Sequence, residues 1–252
     1  MKRAATIALQ LYTIREEAAR DFCGALRKVA DIGYRAVEFA GYGGLSATEL
    51  RKQLDELDLR AVATHVRLAE LEADADRQIE YAAEIGAAYV VCPSVPEATL
   101  TGDDAAFGRL ADTFARIGEK CKTSGLSFAY HNHAFEWRRM EDGRFALDRL
   151  CDALPAGLMA LELDLYWVKK AGLDPLETLR RYAGRTALVH VKDMAEDGSF
   201  AEPGSGTIDW RTIVAAASGI GVRALVVEQD VCRRPPLESA KIGFEYLRSL
   251  VV

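Results

Sequence analysis

The chain has 252 residues, half of them hydrophobic, with a formal net charge of −6, enough material for one large core. The acidic balance speaks against a partner with a phosphate backbone, which requires a basic face. No apolar run reaches the roughly 18 residues of a membrane span, and Gln10, Thr13 and Arg15 interrupt the N-terminal stretch too early for a secretion signal.

Residues 5–12 form an apolar strand candidate. Residues 16–32 follow with Ala18, Phe22, Ala25, Leu26 and Val29 at helical spacing, ending at Gly33. Residues 34–39 read as strand. Ser46 and Glu49 have the spacing of a capping box and open a helix carrying Leu50, Leu54 and Leu57. A strand at 60–65 leads to a helix over 68–85 that stops at Gly86, and a strand at 88–92 is bounded by Pro93. A helix over 104–123 stops near Gly125. The apolar run from Leu126 then reads as a strand that ends in Tyr130-His131-Asn132-His133-Ala134-Phe135-Glu136-Trp137. The remaining expectations are helix 145–154, strand 158–163, helix 173–182, strand 187–191, helix 209–217 capped by Asp209, strand 224–229 and helix 237–250.

These are eight strand-then-helix units without a linker or low-complexity tract, so the expectation is a single α/β domain over 1–252, a (β/α)8 TIM barrel. No GxGxxG follows the first strand, which removes the dinucleotide-binding reading. Cys23, Cys92, Cys121, Cys151 and Cys232 are odd in number, scattered and without a CxxC pair. They read as reduced thiols of a cytoplasmic enzyme and not as a disulfide framework or zinc knuckle.

Strand side chains alternate between the barrel interior and the helices. Placing the polar residue at each strand end inward puts Gln10, Glu38, His65, His131, Asp164, His190 and Glu228 at the top. One step below come Ala8, Ala36, Ala63, Ala129, Glu162, Leu188 and Val226, small or apolar except Glu162, which needs a partner such as Lys192 or a ligand role. His131, Asp164, His190 and Glu228 supply two imidazoles and two carboxylates from consecutive strands, a donor set for one Mn²⁺, Mg²⁺, Co²⁺ or Zn²⁺ ion. Such an ion polarises a carbonyl and eases removal of the neighbouring proton. Gln10, Glu38, His65, Asn132 and Trp167 are the candidate substrate contacts, and Glu228, His133, Glu136 and Lys192 the candidate acid/base groups. Each has a plainer alternative. A lone strand-end residue anchors a loop, Glu136 is a solvated acid, and Trp137, Trp167 and Trp210 pack the core. Gly204-Ser205-Gly206 is either an anion cradle of backbone amides or a plain loop.

The chain resembles the sugar phosphate isomerase/epimerase group with a xylose-isomerase-like barrel. The resemblance rests on the segments at 7–12 and 33–39, Tyr130-His131-Asn132-His133 with Phe135-Glu136, and Leu163-Asp164 with Trp167. It continues through Val189-His190-Val191-Lys192-Asp193, the segment at 204–210 and Val227-Glu228. It implies a metal at Asp164, His190 and Glu228, a small carbohydrate substrate and a possible homo-oligomer. The ketose epimerases of that group carry a glutamate where this chain has His131, and the Tyr-His-x-His strand looks more like the inosose dehydratase branch. The leading expectation is a metal-dependent sugar or keto-polyol isomerase or epimerase that removes a proton beside a carbonyl. The alternative is a dehydratase of a cyclic keto-polyol.

Overall fold

In the computed structural model, which describes residues 5–251, eight parallel strands close into a barrel. They are β1 (Thr6–Gln10), β2 (Ala36–Phe39), β3 (Arg60–His65), β4 (Tyr89–Cys92), β5 (Ser127–His131), β6 (Ala160–Asp164), β7 (Thr186–Val191) and β8 (Ala224–Val227). Each pairs with its neighbour in sequence, and β1 closes the ring on β8 through Thr6 opposite Ala224 and Leu9 opposite Val227. The alternation expected from sequence holds. Ala8, Ala36, Ala63, Val91, Ala129, Leu188, Ala224 and Val226 form one cluster in the barrel interior. Leu9, Val37, Phe39, Phe128, Tyr130, Leu163, Val189 and Val227 face the helices in a separate, larger cluster. Alanine at five of these eight interior positions leaves room for bulky polar side chains above them.

The helices cover the outer face, and their ends follow local chemistry. Ser46 and Glu49 form the expected capping box, with Ser46 N donating to Glu49 Oε2 at 2.9 Å. Asp209 caps the helix Trp210–Ile220 by accepting from Thr212 N. Gly33 ends Phe22–Ile32 at φ 119°, a backbone region that costs glycine little.

Four details differ from expectation, and in the first two a side-chain cap overrides an apolar period. The helix over 16–32 is broken at Asp21, which is extended and accepts from Gly24 N, so Arg15–Arg20 and Phe22–Ile32 are separate helices. The helix Leu68–Glu84 is interrupted at Asp74 (φ −160°, ψ 79°), whose carboxylate takes Arg77 N. The strand expected at 158–163 begins two residues later, at Ala160. The loop over 192–208 holds an antiparallel hairpin of Asp193–Met194 with Phe200–Ala201. The N-terminal reading on residues 1–4 lies outside the described residues. No helix among the described residues is long and apolar enough to cross a membrane.

The glycine loop is not free to cradle an anion, because its amides already hold one from the chain. Buried Asp193 accepts from Gly204 N at 2.9 Å, Gly206 N at 3.2 Å, Ile208 N at 3.0 Å and Met194 N at 2.8 Å. A Cβ on Gly206 would lie 2.3 Å from Asp193 Oδ1, so only glycine admits the carboxylate. Asp193→Ala leaves these donors unpaired and is expected to destabilise the fold by about 3 kcal/mol, lowering Tm by about 10 °C in a thermal melt. An unchanged melt would refute the role.

Candidate active site

All four histidines of the chain are gathered at the C-terminal end of the barrel. The lower layer is built on Glu162, whose Oε2 lies 2.7 Å from His65 Nε2, 3.1 Å from His131 Nδ1 and 3.2 Å from His190 Nε2. Glu162 is fully buried and paired with imidazoles; Lys192, one partner offered from sequence, lies instead among Asp164, Glu228 and Asp230, while the ligand role, the other alternative, fits its grouping with His65, His131 and His190. The regular β5–β6 register sets this carboxylate opposite His131, and the register shift between Leu161 and Glu162 on the β7 side sets Asp164 opposite His190. Glu38 closes the layer from the far side: Oε2 is 2.7 Å from His190 Nε2 and accepts from Gln10 Nε2 at 2.9 Å.

The upper layer consists of Asp164, His190 and Glu228, whose ligand atoms lie within 4.8 Å of one another. His190 Nδ1 is 2.8 Å from Glu228 Oε2 and 3.9 Å from Asp164 Oδ2. Asp164 caps the helix Leu165–Lys170, so Oδ1 accepts from Trp167 N at 3.1 Å and Oδ2 is aimed into the site. His131 stands at the edge, with Nε2 3.8 Å from Asp164 Oδ2, and groups with His65, Glu162 and His190. Lys192, two residues after His190 and buried, lies with Nζ 2.8 Å from Asp164 Oδ2, 2.6 Å from Glu228 Oε2 and 2.8 Å from Asp230 Oδ2.

These donors fit a divalent cation on two grounds. They are carboxylate and imidazole groups at the separations of shared ligands. In addition, Asp164 Oδ2 is buried without a hydrogen bond aligned on it, although Lys192 is near. Buried Glu38, Glu162, Asp164 and Glu228 meet one permanent buried cation, Lys192. Imidazole protons carry the remaining balance, and a bound ion would displace them. His190 has carboxylates at both ring nitrogens. Burial pulls its pKa down, but Glu162, Glu228 and Glu38 outweigh that and hold it well above the ordinary value. With Nδ1 given to a metal, Nε2–H would remain donated to Glu38 and Glu162, which fixes the ring.

Burial and the neighbouring Lys192 hold His133 down to about 4, so it is neutral at physiological pH with a buried, unpartnered Nδ1. Burial, then His190, pushes His131 well below the usual imidazole range. Burial opposes ionisation of Glu228, but Lys192 and His190 outweigh it and hold the carboxylate charged. Burial is also opposed by Asp164, Glu228 and Asp230 at Lys192, which stays protonated. Desolvation, with Glu162 beside it, raises Glu38 to about 7.

Above these layers opens a cavity of about 820 Å³ lined by His65, His131, His133, Lys192, Glu228 and Asp230 at its inner end. The other residues singled out from sequence lie elsewhere. Gln10 and Glu38 are sealed beneath the site and orient His190. Asn132 is spent on backbone: it accepts from Asp164 N at 3.0 Å and donates to Asp164 O at 3.2 Å, tying β5 to β6 instead of meeting substrate. Glu136 is neither solvated nor at the mouth. It is fully buried, accepting from Tyr130 Oη at 2.7 Å and His133 N at 2.8 Å, and so positions His133. Half-buried Trp167 packs against His133 with ring centres 5.5 Å apart, while Trp137 and Trp210 are in the core. Sequence reasoning missed Asp230, Tyr12, Tyr42 and Tyr81, which line the cavity from loops and a helix beyond the strand ends. Only Asp230 carried a signal, being two residues past Glu228 on the same parity.

The family described as the xylose isomerase-like TIM barrel matches residues 26–250. This chain belongs to that family. A curated relative named inosose dehydratase, from Geobacillus kaustophilus, is 26% identical over 90% of this chain and 86% of its own length. A second inosose dehydratase, from Clostridium tetani, is 28% identical, but the match spans 55% of this chain and 53% of the relative. Among solved structures, a sugar phosphate isomerase/epimerase from Parabacteroides distasonis superposes with a TM-score of 0.85. It is 22% identical and covers 99% of this chain and 96% of its own. At that identity the likeness speaks for the barrel alone.

Two outcomes are expected. His190→Ala and Glu228→Ala reduce Mn²⁺ or Co²⁺ binding at least tenfold by calorimetry, and wild-type affinity falls as pH is lowered because protons compete for His190. Equal, negligible binding in all three proteins would defeat the site. The second concerns Glu136, which burial raises to about 7 from an ordinary value near 4.5. The native state binds this proton more tightly than the unfolded chain, so stability falls as pH climbs between those values and is level above. The penalty is about 3 kcal/mol. Glu136→Gln keeps the acceptor oxygen and should raise Tm at pH 8 but not at pH 4.5.

Proposed function

We propose that this enzyme removes water from a cyclic keto-polyol, beginning with removal of the proton beside its carbonyl. The observation that carries this reading is the makeup of the reacting face. Glu228 is the one carboxylate that both touches the cavity and contacts His190 and Lys192. On the strand-five side, Glu136 and Glu162 are fully buried, and the groups that reach the cavity are imidazoles. No carboxylate from that side faces Glu228, the arrangement that taking a proton from one face and returning it on the other would use; the other carboxylates on the cavity are Asp230, two residues from Glu228, and Glu70, paired with Arg67. The inosose dehydratase relative supports the same choice.

The roles follow from protonation. A divalent ion held by Asp164, His190 and Glu228, with His131 at the edge, would supply Lewis acidity to the carbonyl and its neighbouring hydroxyl. His133, neutral and on the cavity wall, takes the α-proton. Glu136 holds His133 through its backbone amide and Trp167 packs its ring. Lys192, kept protonated by three carboxylates, hydrogen-bonds to the departing hydroxyl and gives it the proton with which it leaves as water. His65 and His131, oriented by Glu162, face the remaining hydroxyls.

A second reading shares the first step. Asp230, partly exposed at the cavity and 2.8 Å from Lys192, is placed to return a proton, which would give isomerisation or epimerisation.

Incubating the metal-loaded protein with an inosose in D2O separates the two. Dehydration predicts a product lighter by one water, whereas solvent deuterium in a product that keeps its water would overturn it. His133→Ala and Lys192→Met are each expected to lower kcat/KM by about 10²–10⁴-fold while metal still binds.

A further inference from the structure

The cavity is larger than the chemistry assigned to it. Its inner end already holds His133 and Lys192, the groups assigned to proton transfer, yet the space runs on to a second wall of Tyr12, Tyr42 and Tyr81. A volume of about 820 Å³ lies in the upper part of the ~300–1,000 Å³ range that encloses drug-sized ligands, and one polyol ring is smaller than these.

That second wall is built as a rigid plate. The rings of Tyr42 and Tyr81 stack with centres 4.0 Å apart and planes at 23°. Both hydroxyls are tied down, Tyr42 to Thr64 Oγ1 and Tyr81 to Leu45 O, each at 2.8 Å. Thr64 immediately precedes His65, so the plate is held in register with the reacting groups. The break at Asp74 restarts the helix that carries Tyr81. Gly41 and Gly44, at φ 105° and 75°, flank Tyr42 in the loop after β2, where a Cβ would meet nothing within 4 Å. They shape the backbone and leave the passage open. Tyr12, 43% exposed, is clamped by the Arg15 guanidinium 4.4 Å above its ring, while Arg15 also donates to Asp230 O at 2.9 Å. An exposed aromatic ring held in place beside a metal cluster suits a flat ligand face.

We infer that the substrate carries a second ring, a sugar or an aryl group, that lies against the Tyr42–Tyr81 plate while the reacting polyol ring sits over the Asp164–His190–Glu228 cluster. The inference rests on the proposed function for the position of the reacting ring.

Calorimetry of the metal-loaded protein with methyl β-glucoside, phenyl β-glucoside and cellobiose tests it. At least one two-ring probe should bind about tenfold tighter than methyl β-glucoside. Preference for the phenyl compound assigns the plate to an aryl group, and preference for cellobiose to a sugar. Tyr81→Ala should abolish the gain. Tyr12→Ala, at an exposed position that leaves the fold intact, should reduce it severalfold. Equal affinities, a gain untouched by both substitutions, or no measurable binding of any probe overturns the inference. Because the measurement is a ratio of affinities, it is independent of turnover. A tenfold gain with no water lost from any inosose would sink the dehydratase reading and leave the plate standing. Equal affinities with dehydration intact would do the reverse.

Discussion

One carboxylate oxygen organises the top of this barrel. Glu162 Oε2 meets three imidazoles, from β3, β5 and β7, at 2.7, 3.1 and 3.2 Å, in a layer where the other interior side chains are alanine, valine or leucine. A buried charge at that position is tolerable only when paired and hydrogen-bonded. The pairing has a geometric consequence: it turns His65 and His131 about one centre, shared with His190, whose ring is also held by Glu38 and Glu228. His65 and His190 stand stacked with planes at 5°, and His131 crosses His190 at 64°. The nitrogens left over on His131 and His190 face Asp164, and that of His190 also meets Glu228.

Above that layer the electrostatics are set by Lys192. Its ammonium lies between Asp164, Glu228 and Asp230 and shares two of the three carboxylates with His190 or the candidate ligand set. It keeps Glu228 ionised against burial and contributes to keeping His133 neutral. Lys192 thus holds both neighbours in their deprotonated forms while staying protonated itself, so proton acceptors and a proton donor stand side by side in one site. Alternation along β7 places His190 and Lys192 on the same inward face, which is why neighbouring charges of opposite demand can be supplied by one strand.

The family relationship and the local chemistry act at different levels. The barrel is shared with isomerases, epimerases and dehydratases alike, since closing eight strands places all their C-terminal ends around one mouth whatever reaction occurs there. In this chain the local chemistry is set at β5, where His131 stands at the ring and Glu136, five residues on, is buried and holds His133. The carboxylate is present in sequence but withdrawn from the cavity.

By itself, the sequence determined the eight-fold repeat, the inward and outward parity of nearly every strand, and the gathering of His65, His131, His190, Asp164 and Glu228 at one end. These are local properties: a period of two along each strand and a helical period between them are written in consecutive residues. Tertiary structure alone decided what each polar group faces. Glu162 finds histidines and not Lys192, Asn132 closes on the backbone of β6, Asp193 fills the glycine loop, and Glu136 is buried. Two kinds of residue escaped sequence reasoning for the same reason. Partners such as Glu38 and His190 are 152 positions apart, and the tyrosine wall comes from the loops after β1 and β2 and a helix after β3. The pairing energy of a buried polar group depends on which atoms the closed barrel brings within about 3 Å of it, and no spacing along the chain encodes that distance.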